Sequence, residues 1–78
     1  MKKSDFFTEM RETLEITSVE ELNEKTNLRE LAEYNSLFVL TIIAFVDEKF
    51  NMQLNAESLA NLMTIKNLID LIGPEKFE

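Results

Sequence analysis

The only glycine and the only proline of this chain stand together, Gly73-Pro74, close to its last residue. Tight hairpins draw on Gly for positive φ and on Pro to preset a corner. A chain with neither before position 73 has few ways to build short, turn-linked strands, so helices are expected. The pair itself reads as a helix stop, a left-handed residue followed by one that cannot continue the helix. With 78 residues, there is enough chain for one small domain, spanning 1–78, with a thin core. Hydrophobic residues make up 45%, which argues against disorder.

Two absences narrow the chemistry. Without Cys there is no disulfide framework and no thiolate metal site. Without His as well, nucleophile–histidine triads and zinc sites are excluded and the usual proton shuttle at neutral pH is missing. A free-standing enzyme is not expected, and no metal site is. Glu20, Glu21 and Glu24 lack the spacing and the glycine of a calcium loop. The net charge of −7 leaves no basic patch for nucleic acid and steers basic partners towards the surface. Met1-Lys2-Lys3 has no apolar segment behind it, and Asp5 and Glu9 come too early for a signal peptide. Leu37 to Val46 is apolar apart from Thr41, but ten residues cannot span a bilayer. A cytoplasmic monomer is the expectation.

The spacing predicts a first helix over Ser4 to Leu14, capped by Ser4 or Asp5, with Phe6, Phe7, Met10 and Leu14 as its apolar stripe and Glu9, Arg11, Glu12 and Glu15 on the wet side. A connection from Ile16 to Asn35 follows. Ser18 and Glu21 have capping-box spacing for a short turn, and Leu28 and Leu31 read as anchors to the core. The second helix runs from Ser36 to Phe50, capped by Asn35 or Ser36 and ended by Asn51. Asn55 is placed to cap a short third helix containing Leu59 and Leu62. Thr64 caps a fourth with Ile65, Leu68, Ile69 and Ile72 as its stripe. The expected architecture is all-α, a four-helix bundle with a long first loop and a short third helix.

Ser36 admits two readings. Serine ahead of an apolar helix is most commonly an N-cap. A serine there also meets the needs of an attachment point: exposure, a fixed element, and free N–H groups with a positive dipole end that favour a phosphate.

The frame Leu28-Arg29-Glu30-Leu31-Ala32-Glu33-Tyr34-Asn35-Ser36-Leu37 resembles the acyl carrier protein pattern in which an aromatic residue precedes Asp-Ser-Leu. Asp47-Glu48-Lys49-Phe50 resembles the charged run and Phe that close that family's second helix. Leu62 and Thr64, with Ile65, Leu68 and Ile72, resemble its entry into the last helix. The likeness covers nearly the whole chain. It implies a 4′-phosphopantetheine arm, derived from coenzyme A, on Ser36, with acyl groups held on its thiol as thioesters. The partners it implies are a phosphopantetheinyl transferase and acyl-transferring or acyl-activating enzymes. Asn35 stands where the family usually has aspartate, so the helix cap is kept and a flanking charge is lost.

At about 100° per residue, Val39, Ile43, Val46 and Phe50 share one side of the second helix and are expected in the core, flanked by Leu40 and Ile42. Leu37, Phe38, Thr41, Ala44, Phe45 and Glu48 fall on the other side. No charged residue lies between Glu33 and Asp47, whereas the resembled carriers of fatty-acid synthesis are rich in acids there. Two readings stand side by side. Leu37, Phe38, Thr41, Phe45 and Glu48 form a partner-binding face through apolar contact, or the phenylalanines are covered core. The expected function is a carrier of acyl or aminoacyl groups for fatty-acid-like, polyketide or other specialised biosynthesis. The alternative is an unmodified protein-interaction module of the same fold.

Overall fold

The computed structural model describes residues 1–78 and is all-α. Its elements are α1 (Lys3–Leu14), a 3-10 turn (Leu28–Glu30), α2 (Ser36–Phe50), α3 (Ile65–Ile72) and a last 3-10 turn (Pro74–Lys76). Three α-helices are present rather than the expected four. No helix is long and apolar enough to cross a membrane.

The missing helix is the segment after Asn55. Asn55 Oδ1 does act as a local cap, accepting from the Ser58 N–H at 2.7 Å and the Ser58 hydroxyl at 2.9 Å. The chain beyond it closes i→i+3 bonds, Leu59 N–H to Ala56 O, Ala60 N–H to Glu57 O and Leu62 N–H to Leu59 O, which make consecutive turns. Arg29 then takes the carbonyls of the last turn. Its Nε donates to Leu62 O at 2.7 Å and its Nη2 to Ala60 O. Leu59 and Leu62 are buried as anticipated, but as turn anchors.

α1 starts one residue earlier than expected, and Ser4 and Asp5 lie inside its first turn rather than capping it. An acid in that turn suits the helix dipole. Ser18 and Glu21 form no capped turn, because the Ser18 side chain is committed to Glu33. Leu28 and Leu31 are the buried anchors of the long loop. Its far end is tied to the start of α3. Leu28 N–H donates to Met63 O and Ile65 N–H to Thr26 O in an isolated antiparallel bridge at Asn27 and Thr64.

α2 spans Ser36–Phe50 as predicted, and Asn51 ends it with φ of 53°. Asn tolerates that left-handed conformation better than most residues. Thr64 and Asn67 form a reciprocal capping box on α3, and Gly73 follows at φ 117°.

All buried side chains are apolar and join one cluster. Phe6 is its hub, with the rings of Phe45, Phe50 and Phe77 at 5.7, 6.0 and 5.0 Å. These contacts set the rotation of α2. Phe38, Ile42, Phe45 and Val46 are the inward positions, while Val39, Ile43 and Phe50 are half-buried. The inner face is therefore turned by roughly a quarter turn from the expected one. Phe38 at 4% exposure and Phe45 at 1% are core, not outer-face residues.

Candidate functional site

The head of α2 is built by its flanks. Asn35 sits in extended backbone, and its Oδ1 accepts from the Phe38 N–H at 2.9 Å while its carbonyl accepts from the Val39 N–H at 3.2 Å. That leaves the Ser36 and Leu37 N–H groups without an acceptor in the chain. Ser36 is exposed, and its hydroxyl makes no hydrogen bond within the protein. No acidic residue stands in the first turn of α2. An exposed hydroxyl beside two unpaired donors fits a phosphodiester. Asn35, the flanking residue of the motif, is thus the N-cap, and Ser36 is relieved of that duty.

Tyr34 and Glu33 fix the approach to this point. The Tyr34 ring lies 5.9 Å from that of Phe38, and its N–H donates to Leu31 O. Glu33 Oε2 accepts from the Thr17 N–H at 3.1 Å and from the Ser18 N–H at 3.1 Å. Its Oε1 accepts from the Ser18 hydroxyl at 2.6 Å. The Ser18 hydroxyl first, then the Thr17 amide, hold the Glu33 carboxyl well down, at about 2. No sequence signal marked Glu33 apart from its acidic neighbours, because its partners lie 15 and 16 residues earlier.

No family model, curated protein or solved structure matches this chain.

The outer face of α2 differs from the expected partner face. Leu37 is 70% exposed and Leu40 59%, and Ala44, Asp47 and Glu48 are exposed beyond them. Thr41 is half-buried, its hydroxyl donating back to Leu37 O at 2.8 Å. Of the five expected contact residues, Leu37, Thr41 and Glu48 lie on the open side, and Phe38 and Phe45 lie inside. Leu40 is the residue missed. Its expected place on the core flank fails because ten nearly uniform apolar positions carry no phase. An open groove of about 300 Å³ lies beside Asn35 and Leu37, between the end of α1 and the start of α2.

Proposed function

We propose that this chain is an acyl carrier protein, with Ser36 as the attachment point of a 4′-phosphopantetheine arm. The observation that carries this reading is the exposed, unbonded Ser36 hydroxyl at the head of α2, next to two free backbone N–H groups. Attachment forms a bond from Ser36 Oγ to the pantetheine-bearing phosphorus of coenzyme A. The bond to the departing adenosine bisphosphate breaks, and the hydroxyl proton passes to the base of the transferase. The arm supplies a thiol for thioester cargo, the reactive group that a chain without Cys does not have. The protein itself presents the cargo. Asn35 orients the helix end, Glu33 and Tyr34 hold the approach, and no residue here acts as a catalyst. A cytoplasmic setting, transferase and acyl-handling partners, and a monomeric form belong to the same reading.

A second reading, an unmodified interaction module, is favoured by the exposed leucines Leu37 and Leu40, adjacent on a helix and free to contact a partner. Intact mass after incubation with a broad-specificity transferase and coenzyme A separates the two. The carrier reading expects a gain of one phosphopantetheine that Ser36→Ala abolishes. No gain with several transferases leaves the interaction module.

A further inference from the structure

We propose that the open face of α2 is the docking seam for an amphipathic helix of a partner protein, apolar where it meets Leu37 and Leu40 and basic where it meets Asp47 and Glu48. Leu37, Leu40, Ala44 and Asp47 follow one another at spacings of three, four and three residues, with Glu48 beside Asp47, so they fall on one stripe of the helix. All five are exposed, and Leu37 and Leu40 are the two most exposed large apolar residues of the chain. Thr41, at the edge of the stripe, turns its hydroxyl back to Leu37 O. From Leu37 to Glu48 the stripe is roughly 16 Å long by the rise of an α-helix. A narrow seam of that length and spacing is what a second helix packs against. The inference holds whether or not Ser36 is modified. Leu37 follows Ser36, so a partner docked there also reaches the attachment point.

The charges decide the occupant. From Leu37 to Val46 no charged residue interrupts the seam, and Asp47 and Glu48 close it. Neither acid forms an ion pair within the chain, whereas Lys49 is drawn away to Glu9 on α1 at 3.1 Å. A partner's lysine or arginine is therefore matched at that end, and an apolar turn at the other. At the head of α2 the Ser36 and Leu37 N–H groups are free and no acid stands in the first turn. An antiparallel partner helix sets its C-terminal carbonyls over that head and its positive N-terminal end over Asp47 and Glu48, so the two dipoles attract. A second copy of this chain is a poor occupant. Antiparallel pairing of two α2 helices sets Asp47 and Glu48 of each against the leucines of the other, which strips water from unpaired carboxylates. It also joins two chains that each carry a net charge of −7.

The test uses the unmodified full chain and synthetic peptides locked as helices by a side-chain cross-link. The first peptide carries leucines at helical spacing in its C-terminal half and lysines in its N-terminal half. In a second the leucines become glutamine, and in a third the lysines become glutamate. The first should shift the backbone amide signals of Leu37, Leu40, Ala44 and Asp47, and the other two should bind at least roughly tenfold more weakly. Leu40→Ser should weaken the first peptide roughly tenfold, the loss of one buried leucine contact, with thermal stability unchanged because Leu40 is open. Asp47→Asn combined with Glu48→Gln should weaken it a few-fold and flatten its dependence on salt. No binding by the first peptide, equal binding by the glutamine peptide, shifts centred on α1 or α3, or no effect of Leu40→Ser would overturn the inference. So would a dimer in sedimentation that Leu40→Ser dissociates, which gives the seam to a second copy. None of these outcomes depends on a mass gain at Ser36, so the carrier reading stands or falls separately.

Discussion

The carboxylate of Glu33 grips Ser18 twice, at its hydroxyl (2.6 Å) and its N–H (3.1 Å), and so ties the loop after α1 to the residues just ahead of Ser36. With the Thr17 N–H added at 3.1 Å, the acid gathers donors that would otherwise leave the loop free to drift from the head of α2.

This latch predicts a pH signature. The folded carboxyl lies at about 2 against an ordinary 4.5, so its stabilisation is complete above 4.5 and is lost as pH falls through about 2. Glu33→Gln replaces one acceptor with a donor facing Ser18. Urea midpoints of the two proteins should differ at neutral pH and converge as pH falls from 4.5 towards 2. A difference that does not change with pH would show that the Glu33 charge is idle.

Phe45 and Phe38 belong to the core, so each is expected to cost roughly 3–5 kcal/mol on substitution by Ala. That is a large part of the stability of a domain this small. Leu37→Ala on the open face should change stability by no more than about 0.5 kcal/mol. Equilibrium denaturation measures all three. A mild effect for Phe45→Ala would contradict the orientation of α2 described above.

Arg29 holds the turns that replace a third helix. Arg29→Met removes the donors to Leu62 O and Ala60 O while keeping the side-chain stem. We expect a loss of roughly 1 kcal/mol, with faster hydrogen exchange confined to Ala56–Met63. Uniformly faster exchange across α1 and α2 would mean that Arg29 supports the whole fold and not this segment.

Asn35 separates capping from charge. Asn35→Asp keeps an acceptor for the Phe38 N–H, and thermal stability should stay nearly unchanged. Asn35→Ala should cost about 1 kcal/mol. If a carboxylate beside the serine assists the transferase, Asn35→Asp should also raise the rate of modification. An unchanged rate would assign Asn35 to capping alone.

What the sequence disclosed follows the range of the interactions involved. α2 was legible from Ser36 to Phe50 because its stops, Asn35 and Asn51, are local. Thr64 and the stripe Ile65, Leu68, Ile69 and Ile72 were legible for the same reason. The rotation of α2 was not, since from Leu37 to Val46 only Thr41 breaks the apolar run, and Phe6 decides which side faces in. The segment after Asn55 carried helix-like spacing, yet its carbonyls are claimed by Arg29, more than 30 positions earlier. Glu33 likewise carries no local signal, since the partners that single it out, Thr17 and Ser18, lie 16 and 15 positions earlier. At the candidate site, Ser36, its cap and its aromatic neighbour were legible, whereas the open leucines were not.

The most direct measurement is the intact mass of the full chain after treatment with a phosphopantetheinyl transferase and coenzyme A, followed by fragmentation to locate the added group. The account predicts one phosphopantetheine per chain, carried on Ser36 and absent from Ser36→Ala. An unchanged mass under conditions that modify a known carrier, or an added group on any other residue, would contradict it.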